Sequence, residues 1–394
     1  MPVTLSRRAR WAVPGTAVVV TGAVIAALQI PAAQASPNLP AKTPAQLLAS
    51  LASDNTKVPP MTGTVVETAN FGLPQLPQTA NNPSSITSLL TGNHTVKVYY
   101  QDDKHFRLSV PQPQAETDVI ANGSKVWLWE SASNSVTQFN ESAAGAAKAK
   151  AAMPNPTKTP LTPQQAANQI LANVGKTTLV STQANVPVAG EPAYQLVLAP
   201  KDSHSLVGKI VIAVDGKYNV PLRVQVYAKG AASPAFQVGY TALQWVAPAS
   251  SNFNFTPPHG ASVDVVNPSS QQKSGATTKP DTSGFGSYGK DWLTVVSFPQ
   301  ADLTKGFGTA AGSTPSASPS GKQQDIISAN NQGVGVSSQE ILNALLGSAK
   351  PVSGSWGSGT LVTSSLFSML MTGGKVYIGA VQPSVLYSAV GHTS

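Results

Sequence analysis

The stretch "ETDVIANGSKVWLWE", Glu116 to Glu130, decides the fold. Asn122-Gly123 supplies turn residues that tolerate positive φ, and β-branched and aromatic residues flank them, the pattern of a tight antiparallel hairpin. Side chains alternate along a strand, so Trp127 and Trp129 share one face of the second arm while Val126 and Leu128 share the other. A strand that is apolar on both faces lies between two hydrophobic environments. One is the interior of a curled sheet; the other is a helix, a second core layer or a ligand.

Outward from this hairpin the alternation continues. "TVKVYYQDDKHFRLSV", from Thr95, reads as strand, turn at Asp102-Asp103, strand, and "SVTQF" adds another after Ser133-Asn134. An earlier strand begins at Thr62 and breaks at Pro74; Ile86 to Leu90 is a short apolar piece. Later strands are expected at Thr178 to Val186, Tyr194 to Ala199, Val207 to Asp215, Leu222 to Tyr227 and Phe236 to Trp245. Short strands at even spacing argue for an antiparallel meander that curls into a barrel or sandwich. Two helices interrupt it. Thr43 caps the first, with Pro44 at its first position and Leu47, Leu48 and Leu51 on one face. Thr162-Pro163 opens the second, from Pro163 to Val174, and Ala166, Ala167, Ile170, Leu171 and Val174 recur at helical spacing.

The composition has the look of an exported β-rich chain with long linkers rather than of a charged cytoplasmic enzyme. Of 394 residues only 11% are charged, against about 25% in an average soluble protein. Arg7, Arg8 and Arg10 precede an apolar run from Ala12 to Ile30, and Ala33-Gln34-Ala35 gives a small-x-small cleavage pattern. Residues 1–35 are therefore read as a signal peptide cleaved after Ala35, leaving an exported chain that starts at Ser36. Loss of the three arginines lowers the net charge from +8 to +5. The remaining lysines are scattered, which argues against nucleic-acid binding and allows a mild attraction to anionic membrane surfaces. There is no cysteine, so neither a disulfide nor a lipid-bearing cysteine is available.

No catalytic constellation is evident in the sequence. His94, His105, His204, His259 and His392 are far apart in sequence, none in a metal-ligand spacing, and they read as surface or loop histidines. No G-x-S-x-G elbow and no phosphate-cradling glycine motif occurs. Asp102-Asp103 reads as a turn. Glu116 and Asp118 share a strand face and read as a solvated edge. A non-enzymatic protein without cofactor or metal is expected.

After Val266 the composition shifts to Ser, Pro, Gly and Thr tracts. Residues 267–330 read as a low-complexity linker with a strand-like island at 291–299. Residues 331–394 read as an ordered helix-strand extension. Ser337 and Glu340 form a capping box before Ile341, Leu342, Leu345 and Leu346. "GSGTLVTSSLFSMLM" and "KVYIGAV" then suggest a strand, a short helix or second strand, and a last strand.

Three phrases within residues 36–266 resemble the periplasmic lipoprotein-carrier family, the LolA-LolB-RseB group in its extended actinobacterial type. They are "TDVIANGSKVWLWESASNSVTQF", "AYQLVLAPKDSHSLVGKIVIAVDGKYNVPLRVQVY" and "FNFTPPHGASV". The resemblance implies a mainly β fold with an α lid: an unclosed antiparallel β-barrel, or half-barrel, covered by short helices, here with a small C-terminal α/β extension. It implies that Phe253 and Phe255 face inward on the last strand and that Pro257-Pro258 end pairing at the open edge. The apolar cavity would take acyl chains of lipids or lipoproteins, with Trp127, Trp129, Ile170, Val174, Phe253 and Phe255 as candidate lipid-binding residues. A monomeric carrier is one expected role. The other is a lipid-sensing regulator of an anti-sigma factor or other membrane protein partner.

Overall fold

The computed structural model describes residues 39–52, 58–72, 91–140, 162–171, 174–266, 284–302 and 346–392. The stretch read as a signal peptide, 1–35, the apolar piece at 86–90, most of the 267–330 tracts and most of the helix expected from Ser337 lie outside the described residues.

The turns form where their chemistry requires them. Gly123 has φ 67°, and around it β4 (Ala115–Asn122) pairs with β5 (Lys125–Glu130), Ile120 opposite Trp127 and Asp118 opposite Trp129. Before this hairpin come helix α1 (Pro44–Ala52), β1 (Met61–Asn70), β2 (Thr91–Asp102) and β3 (His105–Gln112). After it come β6 (Ser135–Asn140), helix α2 (Pro163–Leu171), β7 (Thr178–Val188), β8 (Glu191–Pro200), β9 (Val207–Asp215), β10 (Pro221–Ala228), β11 (Phe236–Gln244) and β12 (Ser262–Val266). These twelve strands make one sheet in the order β12-β6-β5-β4-β3-β2-β1-β11-β10-β9-β8-β7. Neighbours are antiparallel except β12, which runs parallel to β6. The outermost strands β7 and β12 do not pair, so the sheet is an unclosed barrel. Ala189, in the β7–β8 turn, lines the same groove as Lys97 of β2. Four strands lie between β8 and β2, which in a flat sheet would hold them roughly 24 Å apart; the sheet therefore curls back on itself.

The register assigns two faces. The inner face carries Met61, Val65, Val96, Val98, Val110, Leu196, Leu198, Ile212, Leu222, Val224 and Val238, all buried in one apolar cluster. Leu47 of α1 and Ala166 and Ala167 of α2 are buried in that cluster too. The two helices thus cover the inner face.

The phrase at Phe253 is a correction. Ser250–Phe253 is a 3-10 turn, and residues 254–261 form no strand. Phe253 and Phe255 are therefore not on a last strand facing inward. Two consecutive prolines lack N–H donors and restrict the residues before them, so this stretch cannot run within a ladder. It is an arm that leaves β11 and crosses the outer face to reach β6, where β12 begins.

The second sheet contains β13 (Gly286–Tyr288), β14 (Val295–Pro299), β15 (Lys350–Gly354), β16 (Gly357–Thr363), β17 (Ser368–Thr372) and β18 (Lys375–Gly379), in the order β13-β14-β18-β17-β16-β15. Helix α3 (Pro383–Ala389) buries Leu386 and Ala389 against it. The expected strand-like island at 291–299 is not isolated in a linker: its β14 pairs with β18 near the chain end. The segment that allowed a short helix or a second strand is the strand β17.

The two sheets belong to one compact unit, Leu39–Ser394. Leu206 donates its N–H to the Ala380 carbonyl at 2.9 Å, and Gln382 donates to the His204 carbonyl at 2.8 Å. The Trp292 indole N–H donates to the Thr178 hydroxyl at 2.8 Å. Leu366, in the β16–β17 connection, is buried in the apolar cluster of the first sheet, and Trp292 and Ala380 pack on it.

Candidate functional site

The inner face under α1 and α2 is built from local signals. Both helices begin with the same box. Thr162 accepts from the Gln165 N–H at 3.2 Å, and the Gln165 side chain accepts from the Thr162 N–H at 2.9 Å. Thr43 and Gln46 repeat the arrangement at 3.2 and 2.8 Å. Each box satisfies N–H groups that the first turn leaves unpaired. α2 then lies across β10 and β11. Its contact residues begin with alanines, and Ile170 and, just beyond it, Val174 pack partly buried on the same cluster. Such a surface offers apolar area without directed polar groups, the property an acyl chain needs. Polar groups do occur at its margin. Glu67 and His94, directly opposite each other on β1 and β2, are buried at 4% and 8% exposure. The reading of His94 as a surface or loop histidine is therefore corrected; its position on an alternating strand was the available signal.

The other candidate residues lie on the opposite, outer face. Trp127 is 7% exposed and donates its indole N–H to Gln138 at 3.1 Å. Phe255 of the arm packs on both tryptophans, with ring centroids 5.9 Å from Trp127 and 6.2 Å from Trp129. Phe253 is buried and meets His105 at 6.1 Å, and Asn122 donates to the Phe253 carbonyl at 3.3 Å. Ile120 and Val136 complete this cluster. The six candidates thus divide. Ile170 and Val174 share the inner face; Trp127, Trp129, Phe253 and Phe255 anchor the arm outside.

Beside the tryptophans is a charged group that the sequence reading placed in solvent. The Asp118 side chain is 1% exposed and is bonded by Arg107, which also reaches Glu116 at 3.3 Å. Ser109 donates its hydroxyl to Glu116 at 2.5 Å. Burial pushes the Asp118 carboxyl up to about 6, and the hydrogen bond that the protonated acid donates to Glu116 adds to the rise. The Ser109 hydroxyl, first among several partners, holds the Glu116 carboxyl below the usual range. The solvated-edge expectation fails for Asp118 because the cross-strand neighbours Ser109 and Trp129 flank it.

A third feature is an open groove of about 560 Å³ at the start of β1, between β2 and β11. A β-bulge marks it: the β1–β11 register shifts between Thr64 and Val65. Among the described residues no group of His, Cys, Asp or Glu is arranged to hold a metal ion.

No family model and no curated protein matches the chain. Solved structures do. The Pseudomonas aeruginosa MucA/MucB complex is matched at 13% identity over 88% of this chain and 96% of that one, with a TM-score of 0.36. A LolA superfamily protein from Nitrosomonas europaea is matched at 10% identity over 55% and 99%, with a TM-score of 0.23. A putative outer membrane lipoprotein-sorting protein domain from Vibrio parahaemolyticus is matched at 10% identity over 54% and 94%, with a TM-score of 0.21. The chain is similar to LolA-like structures.

Proposed function

We propose that this chain is an exported lipid- or lipoprotein-binding carrier, whose acyl ligand lies against the inner face under α1 and α2, in contact with Ile170 and Val174. The observation that supports it is the way the apolar interior is covered. Two short helices close it, held by side-chain packing, while the edge strands β7 and β12 leave the barrel unsealed. Such a cover lifts without breaking a strand ladder. Each CH₂ that an acyl chain buries contributes about 0.8 kcal/mol, so no directed polar group is required. Trp127, Trp129, Phe253 and Phe255 are not assigned to this ligand.

The test is native mass spectrometry of lipid retained by the mature chain from Ser36. Ile170→Asp sets an unpaired carboxylate against the apolar interior, where it is costly. It is expected to lose most bound lipid, whereas Gln169→Glu on the exposed side keeps it. Equal retention by two folded variants would show that α2 is structural cover only. A second reading, a lipid-sensing regulator that meets a membrane protein partner, draws support from the docked second sheet. Leu366 touches the same apolar cluster as the lid, so a change under the lid reaches the second sheet directly.

A further inference from the structure

The groove at the start of β1 has a chemistry distinct from that of the interior. Thr62 and Thr64 of β1 stand directly opposite Tyr99 and Lys97 of β2. All four side chains share the outer face, because residues two apart point the same way. Opposite residues lie about 5 Å apart and successive same-face residues about 7 Å, so two hydroxyls, a phenol and an ammonium form a small two-by-two grid of donors. Among the described residues Lys97 is the only charged one that lines the groove, and no ion pair involves it. Two other lining residues also belong to the interior. Leu243 is buried within the inner apolar cluster, and Ala189 packs against it. The second sheet docks at the other end of β1, where Ser365 donates its N–H to the Phe71 carbonyl at 2.8 Å. Seven residues of chain, about 23 Å, separate Phe71 from Thr64 of the groove.

A cation among uncharged donors suits an anion, and an apolar wall behind it suits a hydrocarbon chain. We propose that the groove receives the anionic phosphate head group of a glycerolipid whose chains follow the inner face. This rests on the acyl-chain reading above and adds to it the class of head group. A free phosphate would use the same donors without the wall.

Binding of short-chain phosphatidylglycerol, short-chain phosphatidylcholine and inorganic phosphate is measured by calorimetry on the mature chain at low salt, where an exposed charge is least screened. Wild type is expected to prefer phosphatidylglycerol over phosphatidylcholine by about threefold to fivefold, the range of a single exposed ion pair. Lys97→Gln removes the preference and leaves phosphatidylcholine affinity unchanged. Ala242→Phe, at an exposed position in the groove, weakens both lipids by filling the space. Circular dichroism checks that both variants fold. If both lipids bind but Lys97→Gln keeps the preference, or Ala242→Phe binds like wild type, the head group lies elsewhere; the acyl-chain reading survives and this proposal does not. If neither lipid binds wild type, the acyl-chain reading itself fails. Binding of inorganic phosphate that depends on Lys97, without lipid binding, would make the groove a free-phosphate site and overturn the lipid assignment.

Discussion

Asp118 is the residue whose surroundings its sequence position least reveals. In "ETDVIAN" it alternates with Glu116 like a solvent-facing acid, yet the fold buries it between Ser109 and Trp129. Its carboxyl titrates near 6, above the unfolded value, chiefly because burial disfavours the charged form. The protonated acid is therefore the form the fold prefers. The stabilisation is complete below the unfolded value near 4 and is lost as pH rises through 6. Asp118→Asn removes that dependence and retains the shape. Relative to wild type, the variant should gain stability on the order of 1 kcal/mol between pH 4 and pH 7. Urea unfolding at a series of pH values measures this. A difference between the two proteins that stays constant across the range would show that Asp118 is not held protonated.

At the scale of elements, the crossing arm is the feature that alternation misread. "FNF" has the spacing of a strand, but Phe253 closes a 3-10 turn and Phe255 reaches the tryptophans from outside. The pattern specifies only that the two rings find apolar partners. Pro257-Pro258 then decides against a ladder, since neither proline has an N–H to donate. Phe255→Ala strips the aromatic cover from Trp127 and Trp129. It should cost about 1–2 kcal/mol, the value of a partly buried ring and its edge contacts. The tryptophan emission should shift to longer wavelength as both indoles meet water. Unchanged emission would show that the arm does not shield them. By contrast, the starts of α1 and α2 were legible, because a cap is local: threonine followed by proline, with a glutamine three residues after the threonine, defines one.

At the scale of the molecule, the second sheet is joined to the first by main-chain hydrogen bonds, by Trp292, which bonds Thr178 and packs on the first core, and by the inserted side chain of Leu366. Leu366 leaves its own sheet and is 8% exposed inside the core of the other. Leu366→Ala should destabilise the protein by about 2–3 kcal/mol through the lost transfer energy and the cavity left behind. Its diagnostic effect is on cooperativity. Wild type should unfold in a single calorimetric transition, and the variant should show two as the sheets come apart. A single transition at wild-type temperature would mean that Leu366 contributes little to the coupling and that the hydrogen bonds around Leu206 and Gln382 suffice.

What the sequence by itself determined was every feature set within a few neighbouring residues. The Asn-Gly turn, the alternating strands on either side of it, and the two capped helices all follow from local sterics and hydrogen bonding. Only the tertiary structure decided which face of each strand is inner. Trp127-x-Trp129 and Val126-x-Leu128 are equally apolar, and alternation separates the pairs without saying which one meets the core. The pairing of β14 with β18, more than 70 residues later in the chain, was likewise invisible. Both choices depend on how the sheet curls and on what packs against it, and such long-range burial leaves no periodic trace in a single strand.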